Sequence, residues 1–121
     1  MNRMNPLRLL LVLFALLLPA QALAHAFPDH AAPGAGAVLA QAPGAVTIHF
    51  DSELEPLFST VVVKNEQGVQ VSQGKGQVDA HNPRVLSTRL TSERKGTYHV
   101  YWSVVARDGH HTEGDYTYTV Q

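Results

Sequence analysis

The sequence predicts an all-β sandwich of about seven strands. Apolar and polar residues alternate in several short segments, and Gly and Pro residues interrupt the chain at close spacing. After the first two dozen residues, no segment has the hydrophobic period of a helix. The chain contains no cysteine, so a hydrophobic core rather than disulfide bonds must stabilise this fold.

The expected elements follow one another along the chain. Residues 26–44 are rich in Ala, Pro and Gly and predict an extended arm, with one short strand near Val38 and Leu39. Further strands are predicted at 46–50, 59–64, 69–71, 84–90, 97–106 and 115–120. The segment 97–106 has the clearest alternation. Its expected buried face consists of Tyr98, Val100, Trp102, Val104 and Ala106.

Residues 1–24 have the pattern of a secretory signal peptide. Arg3 and Arg8 precede an apolar block from Leu9 to Leu18, and small residues at alternate positions follow Pro19. The block is about half as long as the roughly 20 residues that a membrane-spanning helix needs. We therefore expect export to the periplasm rather than a retained membrane anchor.

Three overlapping small-residue sites compete for cleavage, and they would leave Leu23, His25 or Phe27 as the first residue. The middle site, after Ala24, is favoured by its spacing from Pro19. The expected mature protein is then a single domain of residues 25–121 that begins with His25.

Composition narrows the classes of function. The formal net charge is −1, and the loss of two arginines with the signal peptide makes the mature chain slightly more acidic, which argues against a nucleic-acid partner. We find no phosphate-binding loop and no His-Glu-x-x-His helix. Ser103, His99 and Asp108 are near in sequence, but nothing marks an oxyanion hole. We expect no enzymatic activity.

The triplet Asp108-Gly109-His110 is the first candidate for metal chemistry. In an extended segment, residues two apart point the same way, so Asp108 and His110 would present an oxygen and a nitrogen to one point. A terminal His25 would add its α-amine and its ring Nδ1. Three nitrogens and one oxygen form a tetragonal set of the kind that suits Cu(II), with Ni(II) second. Both methionines, Met1 and Met4, leave with the signal, so no soft sulfur ligand for Cu(I) remains.

The other histidines have weaker claims as ligands. His111 is expected on the opposite face from His110 because side chains alternate along a strand. His30 would approach the same ion only if the arm curls, and whether His30 or His111 adds a ligand stays open. The histidines at positions 49, 81 and 99 are expected at the surface. Glu53 and Glu55 are expected in a solvated acidic turn.

Taken together, these motifs resemble the periplasmic copper-resistance protein family CopC. The similarity rests on the His25-Ala26 start, the Pro-Gly arm, the segments 50–59 (FDSELEPLFS) and 96–114 (GTYHVYWSVVARDGHHTEG), and the last Tyr-x-Tyr-x-Val strand. The resemblance implies a seven-stranded, immunoglobulin-like Greek-key sandwich or barrel. It also implies one Cu(II) ion bound by the His25 amine and ring, Asp108 and His110.

The same resemblance implies a role in copper homeostasis and resistance. A protein of this kind would buffer or carry copper as a monomer and pass it to a CopD-like inner-membrane transporter. The segment Phe50-Asp51-Ser52-Glu53 departs from the family pattern by displacing the acidic residue, so no metal role is carried over to Glu53.

Two other classes of function remain open from the sequence. A copper-dependent oxygenase also uses a terminal histidine chelate, although Asp108 favours holding Cu(II) over cycling to Cu(I). In a metal-free β-sandwich binding module the histidines would be incidental, and cleavage at either of the other sites would favour this class.

Overall fold

The computed structural model describes residues 3, 5–7, 25–91 and 94–121. Apart from residues 3 and 5–7, the predicted signal peptide lies outside the described residues. None of the helices in the described part of the chain has the length and apolar character that crossing a membrane requires.

Two four-stranded sheets form the fold. In chain order the strands are β1 (Pro28–Ala32), β2 (Val38–Leu39), β3 (Ala45–Phe50), β4 (Thr60–Lys64), β5 (Gln77–Val78), β6 (Val85–Arg89), β7 (Gly96–Val105) and β8 (His111–Val120). A single 3-10 turn, Pro56–Phe58, precedes β4. The first sheet has the order β1-β3-β6-β5 and the second the order β2-β8-β7-β4. The prediction of an all-β sandwich is confirmed.

Alternate residues of the strands fill the space between the sheets. In β3, Val46 and Ile48 are fully buried while their neighbours are partly exposed, which is the period of two that the sequence predicts. The predicted buried face of β7 is confirmed, since all five of its residues are buried. Phe50 meets the edge of Trp102 at a ring-centroid distance of 5.4 Å and joins the two sheets across the core.

Gly114 in β8 makes room for Trp102. The two residues are register partners, and a Cβ atom on Gly114 would lie 2.5 Å from Cζ2 of the indole. Real Cβ atoms do not approach a ring this closely, so the indole or the strand would have to shift within a close-packed core. The strand predicted at 115–120 is too short, because β8 begins at His111 and includes Gly114.

Two other predictions for the elements were wrong. Residues 69–71 make only the isolated bridge Lys64↔Gln70 in place of a strand. Here the chain crosses from the second sheet to the first. The N–H of Val71 donates to the carbonyl of Val63, and the carbonyl of Val71 accepts a hydrogen bond from the N–H of Thr91. The arm, expected to be extended with one short strand, also forms β1, because β3 leaves an edge free for it.

Replacing Gly114 by alanine is expected to destabilise the fold by about 1–3 kcal/mol, the usual cost of overpacking a well-packed core. Urea unfolding followed by Trp102 fluorescence measures the change. Gly44→Ala is the matched control, since no atom lies within 4 Å of the added Cβ. Equal midpoints for the two variants would contradict the close approach to the indole.

Candidate metal centre

The turn between β7 and β8 carries Asp108 and His110. Gly109 donates its N–H to the carbonyl of Ala106 at 2.9 Å, and Ala106 donates its own N–H to the carbonyl of His110 at 2.9 Å. Gly109 has φ of +89°, a left-handed conformation that glycine adopts without strain. These features are typical of a three-residue hairpin loop.

Within this turn the Asp108 carboxylate faces His110. One oxygen accepts the backbone N–H of His110 at 3.0 Å, and the other lies 3.0 Å from its ring Nδ1. The prediction that the side chains of Asp108 and His110 point the same way agrees with this contact, but the conformation from which it was predicted was wrong. A tight turn brings them together, whereas the sequence suggested an extended segment.

The contacts with His110 lower the pKa of Asp108 below its ordinary value of 3.8. The largest cause is the backbone N–H of His110, followed by the hydrogen bond from its side chain. The carboxylate is therefore held in its charged form, which is the form that binds a cation.

His25 lies beside this turn although it is more than eighty residues distant in sequence. Its ring meets that of His110 edge to face, with 4.6 Å between the ring centroids. It also contributes, as the smallest of the causes, to lowering the pKa of Asp108. The structure thus brings His25, Asp108 and His110 together at one end of the sandwich.

The residues after His25 hold it in this position. Ala26 is completely buried, and its carbonyl accepts a hydrogen bond from the Thr112 hydroxyl at 2.6 Å. Phe27 exchanges hydrogen bonds with Asp51: its N–H donates to the carboxylate at 2.8 Å, and its carbonyl accepts from the Asp51 N–H at 2.9 Å. The arm is attached both to β8 and to the loop after β3.

Thr112 and Asp51 are positioning residues that our sequence reasoning missed. Their partners lie 86 and 24 residues away, and no local pattern marks such pairs. Asp51 stands in the segment where the sequence departs from the family pattern, and that departure was the one signal available.

The other predicted side chains are engaged elsewhere. Glu53 forms an ion pair with Arg107 at 2.9 Å, beside the turn. His111 contacts the Ser103 hydroxyl at 2.7 Å on the outer face of the second sheet. His99 pairs with Asp115, and the exposed His81 lies in a loop after Asp79. His30 stacks on His49 at the edge of the first sheet.

Comparison with known families decides the relationship of this chain to other proteins. The model of the CopC domain matches residues 29–121. The chain belongs to the CopC family. The match includes Asp108 and His110 but begins after His25, so the position of His25 rests on the structure of this chain.

Relatives and solved structures agree with this assignment. Protein YobA of Escherichia coli is 33% identical over 81% of the chain and 80% of its own length. The copper transport protein CutJ of Bacillus subtilis is 31% identical over 88% of the chain, which spans only 20% of that longer protein. The crystal structure of CopC from Methylosinus trichosporium OB3b is 31% identical and covers 80% of the chain and 94% of its own, with a TM-score of 0.75. The crystal structure of PcoC, a methionine-rich copper resistance protein from Escherichia coli, is 25% identical. It covers 81% of the chain and 100% of its own, with a TM-score of 0.68.

CopC membership decides among the three classes that the sequence left open. CopC proteins bind or transport copper and are not enzymes, so this chain is a copper-binding protein of copper homeostasis. This assignment favours a copper-binding protein over both the copper oxygenase and the metal-free module.

The three side chains at the end of this CopC domain are close together but not arranged as a finished metal site. Among the described residues, no three His, Asp or Glu side chains form a group that could hold an ion as they stand. In the full-length chain the nitrogen of His25 belongs to a peptide bond with Ala24. The available donors are therefore the two imidazoles and the Asp108 carboxylate, which suit an intermediate cation such as copper.

In metal-free CopC, the carboxyl carbon of Asp108 is expected to titrate with a midpoint below 3.8, and carbon-detected NMR measures it. Because its pKa is depressed in the folded state, Asp108 adds stability at neutral pH that disappears as the pH falls below about 4. The difference in unfolding free energy between the wild type and Asp108→Asn is therefore expected to shrink over that range. A midpoint at or above 3.8 would contradict the contacts with His110.

Proposed function

We propose that this CopC protein is exported to the periplasm and binds one Cu(II) ion through His25, Asp108 and His110. The observation that carries the proposal is the convergence of these residues from the two ends of the chain. The ring of His25 lies 4.6 Å from that of His110, which is itself 3.0 Å from the Asp108 carboxylate.

Cleavage after Ala24 would supply the missing ligand. It frees the α-amine of His25, which can chelate a metal together with the ring Nδ1 of the same residue. His110 adds a third nitrogen and Asp108 an oxygen, and three nitrogens with one oxygen suit tetragonal Cu(II). No cysteine occurs in the chain, and its two methionines lie at positions 1 and 4, so the mature domain has no soft ligand for Cu(I).

The hydrogen bonds around the arm support the same proposal. Ala26 is fully buried and bonded to Thr112, so the backbone beside His25 is fixed before a metal arrives. A ligand that is ordered before the metal binds loses less conformational entropy when the metal binds. The proposed site would then be completed by cleavage with little rearrangement of the fold.

We further propose that this protein carries or buffers copper for a CopD-like membrane protein. The relative CutJ supports this partner: it is named a copper transport protein, and the matched segment is only 20% of its length. A separate domain of this family would deliver its ion to such a protein by contact. The side chains of the site are at the surface, with 50% of His110 and 32% of Asp108 exposed, so a partner can reach them.

Adding one serine before His25 is expected to weaken Cu(II) binding by more than about 100-fold, because the amine becomes a peptide nitrogen. Loss of an outer-shell partner alone costs about 10- to 100-fold at metal sites, and loss of a ligand costs more. A competition titration with a chromophoric chelator measures the affinity of the protein that begins at His25 and of the extended form. Unchanged affinity would refute the role of the terminal amine.

Asp108→Asn and His110→Asn are expected to weaken Cu(II) binding in the same assay, each less than the extension does. His81→Asn is the matched control, since the His81 side chain contacts none of the three proposed ligands and its loss is expected to leave the affinity unchanged. Since amine and imidazole nitrogens must lose a proton to bind, the affinity of the wild type is expected to fall as the pH is lowered.

Mass spectrometry of the exported protein tests the cleavage itself, with a first residue other than His25 as the contradicting result.

A further inference from the structure

A pair of stacked histidines lies outside the proposed copper centre, on the outer face of the first sheet. His30 in β1 and His49 in β3 are register partners on adjacent antiparallel strands. Their rings are nearly parallel, at an angle of 16°, with 4.0 Å between the centroids. Two imidazoles thus meet at the surface of the first sheet.

An irregularity in β1 places a carboxylate beside this pair. The register of β1 against β3 shifts between Pro28 and His30, so Asp29 is the additional residue of a β-bulge. Bulges redirect side chains that would otherwise alternate between the two faces of a sheet. The Asp29 carboxylate lies 3.7 Å from Nδ1 of His30, although strict alternation would point the two side chains apart.

We propose that His30 and His49 form a second, weaker Cu(II) site, with Asp29 contributing negative charge. Imidazole nitrogen is a good ligand for divalent copper, which binds nitrogen sites more tightly than nickel or zinc does. Two nitrogens at about 2.0 Å from one metal, in adjacent positions, are about 3 Å apart. Rings whose centroids are 4.0 Å apart are close enough to share one ion, but their nearly parallel planes must first tilt apart so that both ring nitrogens point at it.

The surroundings of the pair permit this movement. The side chain of His30 is 65% exposed, and β1 is the edge strand of its sheet, so no further strand of the described residues covers the pair from that side. On the other side the register partner of His49 is Val85, which offers no competing ligand. Water would fill the remaining positions around the metal, so the site would be labile compared with a four-ligand centre.

This second site is separate from the proposed centre at His25. His30 is the fifth residue after His25, so their Cα atoms lie within about 18 Å of each other. A loosely held ion at this distance is placed where it can load or exchange with the tighter centre. The inference does not depend on the terminal amine, since neither imidazole of the pair belongs to the His25 centre.

The test uses the protein beginning at His25 with the substitution His110→Asn, which weakens the first centre. We expect titration with Cu(II) to reveal a separate weak site whose electron paramagnetic resonance spectrum shows coupling to imidazole nitrogens. Adding His30→Asn or His49→Asn is expected to weaken that site by at least about tenfold, as losses at metal ligands typically do. Adding His81→Asn is the matched control and is expected to leave it unchanged.

In the protein with both centres intact, two Cu(II) ions held by His25 and by His30, whose Cα atoms lie within about 18 Å of each other, are expected to broaden each other's spectra by dipolar coupling. His49→Asn is expected to abolish the broadening while leaving the tight site at full affinity. Weak binding that survives both His30→Asn and His49→Asn, or its complete absence, would overturn the second site. Failure of the His25 centre would appear separately, as unchanged affinity after the serine extension.

Discussion

The pairing of β7 with β8 is the interaction on which the rest of the structure depends. Their ladder runs from Gly96↔Val120 to Val105↔His111 and forms the middle of the second sheet. Trp102 fits this hairpin only because Gly114 leaves space for the indole. The same hairpin ends in the turn that carries Asp108 and His110. Core packing and the position of the proposed ligands Asp108 and His110 are therefore set by one pair of strands.

The amino-terminal arm completes the site because it is attached to that hairpin. Ala26 is buried, and Thr112, near the start of β8, fixes its carbonyl. His25 consequently lies against the turn, where its ring contacts His110. Burial of the small residue Ala26 next to His25 orders the backbone without constraining the imidazole itself.

The electrostatics of the turn suit a protein that holds and releases a cation. Hydrogen bonds from His110 lower the pKa of Asp108 and keep its charge available. The ion pair between Arg107 and Glu53 lies beside these residues, but it occupies the Glu53 carboxylate and leaves Asp108 as the acidic group facing the histidines. The outer His30–His49 pair would offer a second, more labile position on the same domain.

The sequence by itself determined the alternating strands, the buried face of β7 and the identity of His25, Asp108 and His110 as candidates, because these depend on local periodicity and residue chemistry. Only the tertiary structure decided how the candidates meet. The anchoring of Ala26 by Thr112 and the bond from Thr91 to Val71, where a strand was predicted, are contacts between distant segments. Gly114, expected before the last strand, belongs to β8 because Trp102 packs over it, and that contact has no signature in the local sequence.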